Sequence, residues 1–169
     1  LPIFAAAATG VVASKGDSAQ YEVFLDKYHN PTTPQEERRY QSALSAFSGE
    51  AEMDRTLAMS LDGTVRTQDA PYLLAVCMRN KEQGYRAWEF VKSNWDKINK
   101  DFPSNSIVRM LSGVTSLSKP EQAADVIAFF DDHEVPQGQL TLQQTLEKLR
   151  VNVALRERES GSFSDSLTS

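Results

Sequence analysis

Residues 53–77 read MDRTLAMSLDGTVRTQDAPYLLAVC and contain two helical patterns separated by a short polar loop. Met53, Leu57 and Leu61 recur at the spacing of one helix face, and Gly63 is typical of a helix C-terminus. Pro71 then opens a second apolar segment, because proline is accepted in the first turn of a helix. This stretch predicts two neighbouring helices that run in opposite directions.

Helix start signals recur outside this stretch. Thr33 precedes Pro34, and Glu36 follows at the third helical position, which predicts a capped helix start. Ser118 and Glu121 have the spacing of a second capping box, again with a proline in the first turn. No segment alternates apolar and polar residues over the length of a strand, so the sequence predicts an all-α fold. Short loops favour antiparallel helix pairs, which either close into a bundle or stack as an irregular superhelix.

The composition is that of an ordinary soluble globular domain. The chain has 169 residues, of which 40% are hydrophobic and 24% charged, and its net charge is −5. Lysine and arginine are spread along the chain, which argues against nucleic-acid binding. No apolar run approaches the ~20 residues that a membrane-spanning helix needs. The sequence predicts one helical domain over residues 1–155 and a frayed or disordered tail over residues 156–169, which is charged and then serine-rich.

The residue types that usually carry catalysis are few and isolated. His29 and His133 each follow a helical segment, where a capping role is more typical than a metal-ligand role. Cys77 has no nearby histidine and is interpreted as a core thiol. Asp131 and Asp132 are adjacent, so on a helix their side chains point about 100° apart. An acid–base pair needs its two carboxylates close together, so these two do not form one. The sequence therefore predicts no catalytic residue and no metal ligand in this chain.

The loop between the two helices of the opening stretch contains the candidate ligand-binding residues, Arg66 and Gln68. The guanidinium of Arg66 suits a carboxylate or a backbone carbonyl of a peptide. In the structural alternative, Arg66 pairs with Asp69 or Asp62, and Gln68 satisfies exposed helix-end groups. Asp69 is also placed to cap the helix that follows. The charged run at residues 36–39 is interpreted as a solvated helix face.

Several segments carry a resemblance to a known family. They are TPQEERRYQSALSAF at residues 33–47, VRTQD at 65–69, AWEFVKSNWDKI at 87–98, the helix opened by SKPE at 118–121 and ending in FF, and LEKLRVNVALRER at 146–158. In this order and spacing they resemble the C-terminal helical domain of zinc aminopeptidases. That group includes puromycin-sensitive aminopeptidase, aminopeptidase N and the endoplasmic-reticulum aminopeptidases. The sequence of these segments is most similar to the puromycin-sensitive branch.

The resemblance implies a superhelix of antiparallel HEAT-like helix pairs that packs on a catalytic domain and closes over a peptide chamber. It also implies a parent enzyme that removes N-terminal residues from peptides, with zinc held by an HExxH motif and a downstream glutamate. Since this sequence has no HExxH motif, we expect the zinc and the catalytic groups in a missing catalytic domain of a longer parent chain. The expected role of this chain is to enclose the chamber, hold the distal part of the peptide and take part in domain closure.

The expected partners are that catalytic domain and a peptide substrate, with no nucleic acid and no membrane segment. The resemblance to the puromycin-sensitive branch implies a cytoplasmic location. Self-association through the exposed docking face is a further expectation. Two alternatives from other classes stay open: a free-standing helical-repeat scaffold that binds proteins, and a hydrolase that uses acidic pairs from different helices.

Overall fold

The computed structural model describes residues 2–135 and 138–167, with side-chain surroundings for residues 8–135 and 138–160. Those residues form ten α-helices, one short 3-10 helix at Ser112–Ser116, and no strand, which confirms the all-α prediction. The α-helices are α1 (Pro2–Lys15), α2 (Ser18–His29), α3 (Pro34–Leu44), α4 (Glu50–Ala58), α5 (Ala70–Met78), α6 (Gly84–Ser93), α7 (Trp95–Asp101), α8 (Ser104–Leu111), α9 (Pro120–Asp132) and α10 (Gln139–Leu167).

The helices form two layers. The first layer contains α1, α3, α5, α8 and α10, and each of these helices contacts the next one in that order. The second layer contains α2, α4, α6 with α7, and α9. Of these, α2 packs on α3, α4 and α6 pack on α5, and α9 packs on α10, while the 3-10 helix contacts both α5 and α10. This order of contacts is that of helix pairs stacked in a row as an irregular superhelix.

The loop of the opening stretch reverses the chain as its sequence predicts. Helix α4 ends at Ala58, earlier than the apolar pattern indicates, and turns follow it. Gly63 has a φ of 92°, in the left-handed region that glycine adopts without strain. The backbone N–H of Val65 donates to the carbonyl of Met59 at 3.1 Å. This hydrogen bond and the conformation of Gly63 direct the chain from α4 towards α5.

The predicted start of α3 is present with one change. The Thr33 hydroxyl oxygen accepts a hydrogen bond from the backbone N–H of Glu36 at 3.1 Å. The Glu36 carboxylate does not return to Thr33, because it accepts from the backbone N–H of Thr32 at 2.8 Å and from the Thr32 hydroxyl. These bonds from Thr32 lower the pKa of Glu36. The reciprocal bond therefore forms one residue further out than in the usual capping box.

The start of α9 differs from the prediction. Its first helical residue is Pro120, and Lys119 occupies the N-cap position in an extended conformation, with φ −71° and ψ 136°. No side chain caps the helix there, so Ser118 and Glu121 do not form the predicted capping box. The physical reason is steric: the proline ring keeps the preceding residue extended, so the helix begins one residue later and Ser118 lies outside it.

Aromatic side chains join α6, α7 and α9 in the second layer. Trp88 is fully buried and meets Phe129 edge to face, with ring centroids 5.3 Å apart. Trp95 meets Phe129 and Phe130 at centroid distances of 5.4 and 5.7 Å. Such pairs contribute about 0.5–1.5 kcal/mol each beyond the burial of their area. Both tryptophans are therefore part of the packing that holds this layer together.

A polar clasp links α9 to α6 beside these rings. Asp125 accepts hydrogen bonds from the indole N–H of Trp88 at 2.7 Å, from Nζ of Lys92 at 2.7 Å and from the hydroxyl of Tyr85 at 3.2 Å. Burial alone raises the pKa of the Asp125 carboxyl, but the hydrogen bonds from Lys92 and Trp88 outweigh burial and lower it. The ionised carboxylate therefore stabilises the folded chain.

The 3-10 helix and α5 approach each other more closely than a side chain allows. A β-carbon on Gly113 would lie 2.7 Å from the carbonyl oxygen of Ala75 and 3.0 Å from the β-carbon of Met78. The first of these atoms belongs to the backbone of a helix and cannot rotate aside. Glycine at position 113 is therefore required by the spacing of the two elements.

The last helix extends through the segment that the sequence predicts to be frayed. The backbone of α10 is helical to Leu167, and residues 154–160 are exposed along it. The boundary at residue 155 and the fraying of the tail stay predictions. Among the described residues, none of the helices combines the length and the apolar character that crossing a bilayer requires.

We expect Gly113→Ala to lower the free energy of unfolding by about 1–3 kcal/mol, because the new methyl group meets backbone that cannot yield. The matched control is Gly10→Ala on α1, where nothing lies within 4 Å of the added carbon. Helix propensity favours alanine at such a position by up to about 1 kcal/mol. Urea titrations followed by circular dichroism measure both variants. Equal effects of the two substitutions would contradict the close approach at Gly113.

We expect Asp125→Asn to lower the free energy of unfolding by about 1–2 kcal/mol at neutral pH, because Lys92 and Trp88 lose a charged acceptor. The folded pKa lies below the unfolded value, so this contribution is present above the unfolded pKa of about 3.9. It is lost as pH falls through the folded pKa. Unfolding free energies measured from neutral to acid pH should show the gap between wild type and variant closing.

Asp131→Asn is the control for the clasp, since Asp131 is exposed on the same helix. We expect its effect to stay within about 0.5 kcal/mol across the same pH range. A gap between wild type and Asp125→Asn that stays constant down to the acid end would show that the charge of Asp125 does not stabilise the fold.

Candidate functional site: a basic groove

Neighbouring grooves run between the helices of the first layer. The groove between α3 and α5 has a cavity volume of about 260 Å³, and its wall is formed by Arg38, Gln41, Ser42, Asp69, Tyr72, Leu73 and Val76. The groove between α5, α8 and α10 has a cavity volume of about 440 Å³, and its wall is formed by Tyr72, Ala75, Val76, Arg79, Val108, Arg109, Ser112, Thr141 and Thr145. Two further grooves adjoin these, and Arg79 lines both of them. Together they form one continuous strip of surface, because adjacent grooves share residues.

Cations dominate the walls of this strip. Arg38, Arg39, Arg79, Arg109 and Lys148 line it, and of these Arg39 pairs with Glu36 at 3.8 Å. We call the surface around the other four side chains the basic groove. Asp69 is the carboxylate among the lining residues of the four grooves. This excess of positive charge stands out in a protein whose net charge is −5.

The basic groove differs from the second layer in how its cations are compensated. Within the part of the chain whose side chains are described, Arg38, Arg79, Arg109 and Lys148 have no carboxylate oxygen within 4.0 Å. By contrast, four cations of the second layer pair with carboxylates, in Arg55–Glu22, Arg86–Glu50, Lys92–Asp125 and Lys97–Asp101. The charges of the basic groove are therefore available to an anionic ligand.

Neutral partners hold two of the guanidiniums in place. Nη1 of Arg109 donates to the hydroxyl oxygen of Tyr72 at 2.9 Å, from α8 to α5. Nη2 of Arg79 donates to the hydroxyl oxygen of Ser112 at 2.8 Å, from the end of α5 to the 3-10 helix. These bonds use one N–H of each fork and leave the charge uncompensated, so further N–H groups can bind a carboxylate. Tyr72 itself is 44% exposed on the groove wall.

The periodicity of the helices places these side chains on one surface. On α5, Tyr72, Val76 and Arg79 follow helical spacing and face the groove, whereas Leu74 and Cys77 on the same helix are fully buried. On α10, a polar stripe with the same spacing faces the groove and consists of Thr141, Gln144, Thr145 and Lys148. The adjoining face of α10 carries the buried residues Leu142 and Leu149.

The predicted loop residue Arg66 lies beside the basic groove and not in its wall. Its Nη2 is 3.6 Å from Oε1 of Glu37 on α3, and its side chain is 68% exposed. Arg66 pairs with neither Asp62 nor Asp69, which were the two partners expected in the structural alternative. Its partner comes instead from another helix. The loop is thus tied to α3 by a solvent-exposed ion pair, which contributes little to stability.

The other two loop residues have separate outcomes. Gln68 is exposed, and its side chain makes no hydrogen bond to any residue whose side chain the structure describes. Asp69 occupies the N-cap position of α5 but has helical backbone angles, with φ −98° and ψ −26°, and its side chain makes no cap bond. Capping requires an extended backbone at this position, so Asp69 lines the groove instead. Substrate binding by Arg66 and Gln68 stays a prediction.

His133 and the cysteine are engaged in packing, whereas His29 is exposed at the end of α2. Nδ1 of His133 lies 2.8 Å from the carbonyl oxygen of Phe129, and the two rings stack with centroids 3.9 Å apart. Cys77 is fully buried, and burial raises the pKa of its thiol to about 12. Among the described residues, no group of three histidine, cysteine or acidic side chains could hold a metal ion.

The sequence interpretation missed the basic groove. Arg38 lies in the charged run at residues 36–39, which is indeed a helix face, but that face borders a groove. Arg79, Arg109 and Lys148 come from three separate segments, and each one alone looks like an ordinary surface cation. The polar stripe of α10 was the one signal within a single helix that periodicity could have revealed.

Comparison with known proteins gives a consistent result. Residues 3–151 match the family model described as "ERAP1-like C-terminal domain". The alanine/arginine aminopeptidase of Saccharomyces cerevisiae is 32% identical over 88% of this chain and 18% of its own length. Aminopeptidase M1-B of Oryza sativa subsp. japonica is 31% identical over 79% of the chain and 15% of its own length. Endoplasmic reticulum aminopeptidase 1 of Rattus norvegicus is 28% identical over 90% of the chain and 17% of its own length.

We expect Cys77 to resist thiol reagents in the folded chain. With a pKa of about 12 in place of about 8.5, the thiolate fraction at mildly alkaline pH falls by about three orders of magnitude. Labelling with Ellman's reagent, followed by absorbance, should be slow in buffer and immediate in denaturant. Rapid stoichiometric labelling of the folded chain, with an unchanged circular dichroism spectrum, would contradict the buried position of Cys77.

Proposed function

Because the chain belongs to the family of ERAP1-like C-terminal domains, we propose that it is the non-catalytic C-terminal domain of a zinc aminopeptidase. The parent enzyme removes N-terminal residues from peptides in this proposal. The chain spans 15% to 18% of the length of the aminopeptidases from rice and yeast. The zinc and the catalytic groups are assigned to a catalytic domain of the same parent chain. The described residues offer no cluster that fits zinc, so no step of the reaction is assigned to zinc here.

The observation that carries the proposed role is the basic groove with its uncompensated cations. An exopeptidase must position one end of a flexible chain at its reactive centre, and contacts to the distal part restrict the motion of that end. Guanidinium groups suit this task because they bind peptide carbonyls and carboxylates with directed hydrogen bonds. The first layer would then form a wall of the peptide chamber and hold the distal part of the substrate.

The second part of the proposal concerns contact with the catalytic domain. Val11 and Val12 on α1 and Val23 on α2 are 63%, 47% and 50% exposed, and they belong to the first two helices. Exposed apolar side chains, of which Val11 and Val12 are adjacent, favour a docking surface. We assign this end of the row to the catalytic domain, with domain closure around that contact. Self-association of the isolated chain through the same side chains is part of the proposal, as is a cytosolic location.

Arg79→Gln in the full-length parent enzyme tests the distal-binding role. We expect KM for peptides of about ten residues to rise about tenfold, because a charge-assisted hydrogen bond contributes about 1.5–3 kcal/mol. Hydrolysis of chromogenic single-residue substrates should stay unchanged, since these substrates do not reach the groove. Arg66→Ala, assayed alongside, tests whether the predicted loop residue shares this role.

Arg86→Gln is the matched control, since Arg86 lies in the second layer and pairs with Glu50 and Asp54. It should leave both classes of substrate unaffected. If Arg79→Gln changes KM equally for long peptides and single-residue substrates, the distal-binding role is rejected. If the full-length protein hydrolyses no peptide at all, the assignment to an aminopeptidase is rejected.

A further inference from the structure

We propose that the basic groove selects extended peptide segments that carry several acidic side chains. The inference rests on the proposed function and names the class of substrate that the groove favours. The chemistry is a row of side-chain carboxylates bound by Arg38, Arg79, Arg109 and Lys148.

The sign of the charge is the first argument. The four cations have no carboxylate within 4.0 Å in the described part of the chain, whereas Arg55, Arg86, Lys92 and Lys97 of the second layer are each paired. An uncompensated arginine on a groove wall loses less on binding a carboxylate than one that must first leave a salt bridge. Asp69 disfavours acidic groups only at the α3–α5 end of the strip. The groove therefore attracts anions although the whole protein is acidic.

The spacing of the cations is the second argument. Arg38 belongs to α3, Arg79 follows α5, Arg109 belongs to α8 and Lys148 belongs to α10, and these helices are successive members of the first layer. Packed helices lie about 8–10 Å apart, so α3 and α10 are up to about 25–30 Å apart across the layer, and Arg79 and Lys148 line one shared groove within that span. An extended peptide rises about 3.3–3.6 Å per residue and covers that length with about eight residues. One terminal carboxylate cannot reach all four cations, whereas carboxylates along a segment can.

The apolar lining of the groove between α5, α8 and α10 is the third argument. Between Arg79 and Arg109 lie the apolar side chains of Ala75, Val76 and Val108, in the groove of about 440 Å³. This lining accepts a non-polar side chain while the flanking guanidiniums bind carboxylates on either side. The best ligand is therefore a segment in which acidic residues flank an apolar one.

Fluorescence anisotropy of the 169-residue chain tests this preference. The probes are labelled peptides of about nine residues, acetylated at the N-terminus and amidated at the C-terminus, long enough to span the row. One has four glutamates around a central leucine, the second has four glutamines instead, and the third has four lysines. A fourth probe is the glutamine peptide with a free C-terminal carboxylate. A single-stranded oligonucleotide of equal length serves as a non-peptide anion.

We expect the glutamate peptide to bind at least about tenfold more tightly than the glutamine peptide at low ionic strength. The ratio of the two affinities should decrease when added salt reduces the Debye length below about 10 Å. The lysine peptide should not bind. The double variant Arg79→Gln with Arg109→Gln should remove the advantage of the glutamate peptide. The matched double variant Arg55→Gln with Arg86→Gln, in the second layer, should preserve it. Circular dichroism verifies that each variant is folded.

Three results would overturn the inference. Equal affinity for the glutamate and glutamine peptides shows that acidic side chains are not selected. Affinity for the free-carboxylate glutamine peptide that matches the glutamate peptide assigns the groove to a peptide terminus. Oligonucleotide binding as tight as the glutamate peptide assigns it to anionic polymers in general. None of these three results affects the dependence of KM on peptide length in the full-length enzyme. The proposed function is therefore tested separately, by the Arg79→Gln kinetics.

Discussion

Burial of one face of the first-layer helices α3, α5, α8 and α10 against the second layer is the constraint on which the rest of this structure depends. Helix α5 is the clearest case, because Leu74 and Cys77 are fully buried while Tyr72 and Arg79 remain exposed. Once the apolar face is fixed, helical geometry leaves no choice about which side chains line the groove. The close approach at Gly113 adds to this constraint, because it sets the distance between α5 and the 3-10 helix that carries Ser112.

Paired cations and the uncompensated cations of the basic groove lie at different places on the molecule. The Asp125 clasp and the Arg86–Glu50 pair belong to the second layer, and Arg39 and Arg150 pair with glutamates on the first-layer helices α3 and α10. In the first layer, Arg79 and Arg109 are oriented by neutral hydroxyl groups. Orientation without neutralisation keeps a guanidinium both ordered and available, which is a requirement for binding an anion with directional hydrogen bonds. The protein therefore has a positively charged groove although its net charge is −5.

Features that depend on a few consecutive residues could be predicted from the sequence. Contacts between residues far apart in the chain could not. The helix start at Thr33 and the left-handed glycine at Gly63 follow from backbone preferences of a few residues. The cap at Ser118 failed because two local signals competed, and the conformational restriction before Pro120 overrode the capping pattern. The partner of Arg66 is Glu37, from a helix earlier in the chain, and single-sequence reasoning offered only nearby aspartates. The basic groove combines cations from four helices, so only the stacking of the layers reveals it.

Photo-crosslinking followed by mass spectrometry tests most directly whether the first layer faces the peptide. An acidic peptide with a photoreactive group in place of its central apolar side chain would be irradiated with the chain, and the attachment sites mapped. The account predicts attachment to α5, α8 and α10, at residues such as Tyr72, Val108 and Thr145 that line the groove between these helices. Attachment concentrated on α2, α4, α6 or α9 would contradict it, because the peptide would then lie on the second layer.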